Sequence, residues 1–329
     1  MKLSILDQSP ISTGATAQDA LNASLELAKL ADSLGYTRYW VAEHHDLPGL
    51  AGSVPEIMLS YIGSQTGRIR LGAGAILLPH YRPYKVAETF NLLGTLFPGR
   101  IDLGIGRAPG GSAEASLALS GNYLEGVRQM PEAMDELLSF LYKGFPDNHM
   151  YANVTPAPVP PVPPLPWLLG TSEKSAKLAA INGTAYAFGQ FMSDQNGADI
   201  IKTYKEEFRE KQNGADGKAL ITVSVICAET TEQAEAVASS QFLWKLQSES
   251  GNRSGIPTMD EARDYSYSAE DYEKIDKMRT NMIIGNPNFV KEKLNELAEN
   301  YEVDEIMIVT ITHDYQARLT SYRLISDLI

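Results

Sequence analysis

A chain of 329 residues, 43% of them hydrophobic, has the material for a large core and is long enough for an α/β barrel with insertions. Its 28 basic and 41 acidic residues give a net charge of −13, which argues against non-specific nucleic-acid or anionic-membrane binding but leaves small anions open. One cysteine, Cys227, excludes an internal disulfide and a cysteine-based zinc framework; no run reaches the ~18 apolar residues of a membrane span, and no signal-like segment precedes the first strand, so a cytoplasmic protein is expected.

Leu3 to Leu6 reads as a strand ending at Asp7-Gln8-Ser9-Pro10. Leu21, Leu25, Ala28 and Ala31 recur at helical spacing, and Gly35 closes that helix. Arg38 to Ala42 is the second strand. Ser53-Val54-Pro55-Glu56 has the pattern of a capping box with proline in the first turn, and Ile57, Tyr61 and Ile62 continue the helix it opens. Ile69 to Leu78 is apolar and broken only by small residues, as in a parallel strand covered on both faces. Val86, Phe90, Leu93 and Leu96 or Phe97 mark a helix, Pro98-Gly99 a turn, and Arg100 to Gly106 a further strand with Arg107 at its end. That is one βαβ unit.

Val127, Met130, Met134, Leu137 and Leu141 mark the next helix, its start set or its axis kinked by Pro131. Ala157 to Pro166 is proline-dense and runs directly into the strand Trp167 to Gly170, so it reads as an ordered extended insertion rather than a linker or an SH3-type ligand. A helix follows from Ser172 to Ile181, a strand from Ala185 to Phe188, and a helix from Ala198 to Arg209. Leu220 to Cys227 is a strand that buries its cysteine, and Thr231 to Leu246 is helical. Residues 247–282 are polar, and a connection of that length is expected to be a lid or locally disordered. Asn288 to Asn300 is helical, Glu305 to Thr310 is the last strand, and Ala317 to Ile329 closes the chain as a helix.

Eight strands alternating with helices predict an α/β fold: a single (β/α)8 TIM barrel over 1–329, with insertions after strands four and seven and a lid at 247–282. An open sheet is the alternative, lowered because no Rossmann fingerprint opens the first unit. In such barrels the catalytic groups stand at strand C-terminal ends. His44-His45 follows strand two, Pro79-His80-Tyr81 follows strand three, and Arg107 follows strand four. A metal reading of the histidine pair needs a further ligand. His80, His149 and His313 supply neither HxH nor HExxH spacing, so no metal is predicted.

Gly104-Ile105-Gly106 resembles a dinucleotide loop only superficially, because Rossmann glycines open a helix directly and here Pro109-Gly110-Gly111 opens a loop. The glycines fit better with a cofactor lying close against the backbone. Arg107 reads as a surface ion pair or as an anion ligand. Ser172 reads as a plain N-cap or, with Ser175 on the same turn, as part of an anion site at a helix N-terminus that Arg107 faces from one strand away. Gly74 is an ordinary strand-bulge residue on sequence grounds. Phe188 reads as core.

Several of these stretches carry a resemblance: Tyr39 to His45, Gly72 to Pro79, Ala87 to Ala108, Gly170 to Ala176 and Ile284 to Pro287. Together they resemble the bacterial luciferase-like family of flavin-dependent monooxygenases, most closely over 36–108 and 166–192. The resemblance implies that His44, first histidine of the family's EHH, is catalytic and assists the reaction of reduced flavin with O2; an imidazole suits proton transfer near neutral pH. Glu43, adjacent to His44, reads as setting that ring's tautomer or touching the flavin. Arg107, in the family's GxxR position, would grip the flavin phosphate with its guanidinium fork, together with Thr171, Ser172 and Ser175. Gly74 and Ala75 match a pair joined by a cis peptide bond that forms a bulge under the flavin ring, and His45 and Phe191 fall at substrate-side positions. Gly106 stands where the light-emitting member has a cysteine, and no lysine of 247–282 aligns with that member's lid. Light emission and a long-chain aldehyde substrate are therefore not implied.

The expectation is an enzyme that uses reduced FMN (FMNH2) and O2 to oxygenate a small organic substrate. A separate flavin reductase would supply the flavin, since the chain has no NAD(P)H motif. Three alternatives remain open at this stage: an F420-dependent hydride-transfer enzyme of the same fold, a non-catalytic flavin-binding protein and, more distantly, a metal-dependent hydrolase. A homodimer is expected through the helices starting at Ser53 and Lys85, with Met58 and Leu59 as apolar residues beyond a minimal stripe.

Overall fold

A computed structural model describes residues 1–251 and 254–327. Nine parallel strands occur in the described chain: β1 (Lys2–Asp7), β2 (Arg38–Val41), β3 (Arg70–Leu77), β4 (Ile101–Gly106), β5 (Leu165–Gly170), β6 (Ala185–Gly189), β7 (Ala219–Cys227), β8 (Met282–Gly285) and β9 (Glu305–Val309). Each pairs with the next from β1 to β7; β7 then pairs with β9, and β9 with β1, which closes an eight-stranded barrel. The strand expected as the eighth is β9. The extra strand, β8, pairs with Ser224 to Cys227 at the far end of β7. A four-residue apolar run is too short to be distinguished from loop by periodicity.

The helices are α1 (Ala17–Leu34), α2 (Pro55–Gly63), α3 (Pro83–Leu96), α4 (Ala113–Ser120), α5 (Tyr123–Arg128), α6 (Met130–Leu138), α7 (Glu173–Asn182), α8 (Gly197–Lys211), α9 (Thr231–Glu249), α10 (Met259–Asp264), α11 (Ala269–Thr280), α12 (Pro287–Asn300) and α13 (Tyr315–Ser326). Gly35 ends α1 at φ +83°, as its position implied. The capping box expected at Ser53 does not form; Val54 is the N-cap of α2 without a side-chain bond, and Pro55 supplies the start. Pro131 stands in the first turn of α6, so the chain breaks between α5 and α6 instead of kinking. The stretch 247–282, expected as a loop, holds the end of α9 and two helices, α10 and α11, each with a full capping box.

Alternation along the strands divides the apolar residues between two cores. Leu3, Ile5, Tyr39, Val41, Leu71, Leu103, Ile221, Val223, Ile306 and Ile308 point outward to the helices. Leu6, Trp40, Ala42, Trp167, Leu220, Met307 and Val309 fill the barrel. Trp40 and Trp167 meet edge to face at 5.4 Å. Trp40 is admitted by Gly72, where a Cβ would lie 2.5 Å from the indole nitrogen. Cys227 is buried, and that burial pushes its thiol up to about 12.

The N-terminal end of the barrel is closed by charge. Arg38 bonds Oδ2 of Asp102 through Nη1 at 2.6 Å and Oε2 of Glu305 through Nη2 at 3.1 Å. Arg70 adds two bonds to the other Asp102 oxygen at 2.6 and 2.9 Å, Trp40 donates to Asp102 at 3.0 Å, and Ser4 donates to Glu305. Burial works against the charge on Arg38, but the two carboxylates outweigh it and hold its pKa above the usual value.

Candidate functional site

The C-terminal end of the barrel has the opposite character. β2 runs out into Glu43, His44 and His45. The His44 amide bonds the Gly52 carbonyl at 2.7 Å and the His45 amide bonds that of Gly110 at 2.8 Å, so both histidines sit on fixed backbone. The side-chain Nδ1 of His44 is buried and has no hydrogen-bond partner among the described residues. Burial, and then the neighbouring His45, lowers its pKa to about 4. His44 is thus an uncharged imidazole with one nitrogen unused.

Glu43 was expected to set a tautomer; the ring it holds is His45, not His44. Its Oε1 lies 2.7 Å from His45 Nε2 and accepts the Tyr81 hydroxyl at 2.6 Å. His45 is half-buried, and its ring stands edge-on to that of His80 at 6.1 Å. His80 bonds the Pro109 carbonyl at 2.9 Å, which ties the loop after β3 to the loop after β4. No group of three or more His, Cys, Asp or Glu side chains among the described residues could hold a metal ion.

Next to β2, the Gly74–Ala75 bond is cis, as the resemblance implied. The register between β3 and β4 shifts there, between Ala73 and Ile76. A Cβ on Gly104 would sit 2.0 Å from the Ala73 carbonyl oxygen, and one on Gly106 2.9 Å from Cβ of Ala75. These two glycines, expected to make room for a cofactor, first make room for the β3 bulge. Gly74 itself is only half-buried, so backbone is presented to the mouth at the bulge.

Arg107 is exposed and makes no ion pair among the described residues. β4 pairs with β5 as Ile105 with Leu168, and continuing that register puts Arg107 beside Gly170, one residue before Thr171. Ser172 is the N-cap of α7, and its hydroxyl accepts the Ser175 amide at 3.4 Å. The Ser175 hydroxyl is already engaged: it donates to the Ser172 carbonyl at 2.6 Å and lies 2.9 Å from the Tyr186 hydroxyl. What the turn offers an anion is therefore chiefly helix-start N–H groups and the Thr171 and Ser172 side chains, with an unpaired guanidinium on the adjacent strand end. That donor set fits the phosphate of a flavin mononucleotide, and the orphaned His44 nitrogen fits a polar group held above the bulge.

Phe191 lies in the short turn after β6, half-buried against the top of the interior cluster. Beside it in the same cluster are Leu169 and Trp244. Trp244, on α9, was not found from sequence. It sits within a long helix whose pattern fits either core or surface, and only the packing of α9 over the barrel reveals its role as a wall. Phe188 is core, in contact with Tyr301. Two further concavities, of about 260 Å³ between α1 and α13 and about 360 Å³ at the base, lie away from the mouth.

Residues 1–304 match the model of the luciferase-like monooxygenase family. An N-acetyl-S-alkylcysteine monooxygenase of Bacillus subtilis (strain 168) is 37% identical over all of this chain and 98% of its own length. Among solved structures, apo-MsnO8 superposes with a TM-score of 0.88 at 33% identity, covering 99% of this chain and 98% of that one. Two more distant structures share the fold. One is the FMN-bound oxygenating constituent of 3,6-diketocamphane monooxygenase from Pseudomonas putida, with TM-score 0.71, 20% identity and coverage of 100% and 98%. The other is an F420-dependent secondary alcohol dehydrogenase with an F420-acetone adduct, with TM-score 0.71, 13% identity and the same coverage.

Proposed function

Since the chain belongs to the luciferase-like monooxygenase family, we propose that it binds reduced FMN at the mouth of its barrel and uses O2 to oxygenate a small organic substrate. The observation that carries this reading is the half-buried, uncharged His44 ring with its buried, unpartnered Nδ1, on the strand next to the β3 bulge. When bound, reduced flavin supplies the electrons that activate O2.

The chain's own residues do the rest. Arg107 and the start of α7, with Thr171 and Ser172, hold the phosphate. Ser175 braces that turn from behind. The Gly74–Ala75 bulge supports the ring from below. His44 accepts or returns a proton at Nδ1, for which a neutral ring is the required starting form. Leu169, Phe191 and Trp244 exclude water on the substrate side, with His45 at the edge, and the helices of 247–282 serve as the lid. Reduced flavin would come from a separate reductase in the cytoplasm.

The S-alkylated N-acetylcysteine of the 37% identical relative is the first substrate class to try. F420 is the competing cofactor, and hydride transfer without oxygen the competing chemistry. Titration of the protein with FMN and F420, followed by product analysis under labelled O2, tests the reading. FMN binding with labelled oxygen in the product is the expected result. Preference for F420 with oxygen-independent turnover overturns it, and flavin affinity without any product leaves a binding protein.

A homodimer is part of the proposal, but not through the residues first expected. Met58 and Leu59 are buried in the protomer core. The surplus apolar surface is instead Val54, Ile57 and Tyr61 on α2 with Leu92 and Leu96 on α3, two helices packed side by side. Sedimentation at micromolar concentration should give twice the chain mass.

A further inference from the structure

A buried carboxylate joins three elements of the mouth. Glu43 is 3% exposed. Besides His45 and Tyr81 on Oε1, it accepts the Leu77 backbone N–H on Oε2 at 3.0 Å. Leu77 follows the cis bond of β3 by two residues, and Tyr81 lies in the loop beyond. One side chain therefore ties the end of β2 to the strand segment just past the bulge. Glu56 faces the same cluster, its carboxyl pushed up by burial and by Glu43, and the His80 ring closes the other side.

The chemistry of the contacts fixes proton positions. A carboxylate that accepts from a hydroxyl and an amide is an acceptor, so the ring nitrogen it meets must carry hydrogen. His45 is then protonated on Nε2, and its Nδ1 is the nitrogen free to vary. His44, one residue away, has no such partner for Nδ1. Two adjacent imidazoles thus enter the mouth unequally, one committed and one not.

We propose that Glu43 is the positioning residue of this site: it commits His45 to the Nε2–H tautomer and, with the same carboxylate, pins β3 beyond the bulge, which leaves proton exchange to His44. The tautomer claim stands on the contacts alone; its effect on turnover rests on the flavin reading.

Glu43→Gln is the informative variant. With its oxygen kept on the Leu77 N–H, its amide takes the Oε1 place and presents donors to His45 and to the Tyr81 hydroxyl oxygen, which moves the ring proton to Nδ1. With 15N-labelled histidine and only five histidines in the chain, the His45 signals are assigned by their loss in His45→Gln. The expected spectrum has the proton on Nε2 in the native apo protein and on Nδ1 in Glu43→Gln, with Tyr81→Phe like the native protein. In a second arm, FMN affinity stays within a few-fold in Glu43→Gln. Bound reduced FMN mixed with air-saturated buffer, without organic substrate, returns to the oxidised spectrum at least tenfold faster than in the native protein, and His45→Gln behaves alike. An unchanged tautomer in Glu43→Gln, or an unchanged reoxidation time course in a variant that binds FMN normally, overturns the proposal. A native protein that binds no FMN would sink the flavin reading instead, while the tautomer arm still decides the role of Glu43.

Discussion

The two ends of the barrel handle charge in opposite ways. At the base, Arg38 lies between Asp102 and Glu305, and Arg70, Trp40 and Ser4 fill the remaining acceptor positions. At the mouth, among the described residues, Arg107 has no ion-pair partner and His44 Nδ1 no hydrogen-bond partner. Both ends bury carboxylates that are fully bonded, Asp102 and Glu305 at the base and Glu43 at the mouth, but the mouth also holds a buried ring nitrogen left open. An unpaired buried group costs stability, and the open His44 nitrogen is what the proposed cofactor site would use.

The largest test of this contrast is His44→Ala. If the mouth is functional and not structural, the variant should fold with native stability or better, bind FMN within a few-fold, and lose about 10²–10⁴-fold in oxygenation, the usual span of lost acid–base help. Product and H2O2 per reduced FMN consumed measure it; full product yield would make His44 a structural histidine. Arg38→Met probes the other end. It strips the charge between two buried carboxylates and should cost about 3–5 kcal/mol, read as a lower urea midpoint, with flavin affinity unaltered in the fraction that stays folded. A small loss would mean the base is not the anchor.

Acid should find the mouth by itself. Burial lowers the pKa of His44 from the ordinary 6.5 to about 4 in the folded chain, so between these values the unfolded chain binds more protons. Stability should therefore fall as pH drops from 6.5 toward 4, by about 3 kcal/mol at most. His44→Gln should flatten that part of the stability curve; an equal slope in native and variant would remove the assignment. The smallest effect is expected from Arg107→Ala. It removes a charge-assisted contact of about 1.5–3 kcal/mol, so FMN should bind tenfold or more weakly, with no change in melting temperature of the cofactor-free protein. Unchanged FMN titration would separate Arg107 from the phosphate site.

Much of this was legible in the sequence. The apolar strand runs, the βαβ rhythm, the position of His44-His45 after β2 and of Arg107 after β4 all follow from local pattern, because period and turn chemistry act over a few residues. The helix start at Ser172 was legible for the same reason, but the engagement of Ser175 with Tyr186 was not, since it depends on how β6 lies beside α7. The burial of Met58 and Leu59 is not legible in the sequence, because a short helix gives no sign of which side meets the barrel. The strand β8 was missed because it is four residues long and gains its strand character from β7.

What the sequence alone determined is which residue types arrive at each end of each strand. What only the tertiary structure decided is which of them meet. Arg38 finds Asp102 across 64 residues and Glu305 across 267, and the choice of Glu43 for His45 over His44 rests on where Tyr81 and Leu77 stand once β3 has bulged. Local pattern is encoded by spacing along the chain. These contacts exist only after the barrel has closed, when burial makes each polar atom's partner a matter of angle and distance to strands far away in sequence.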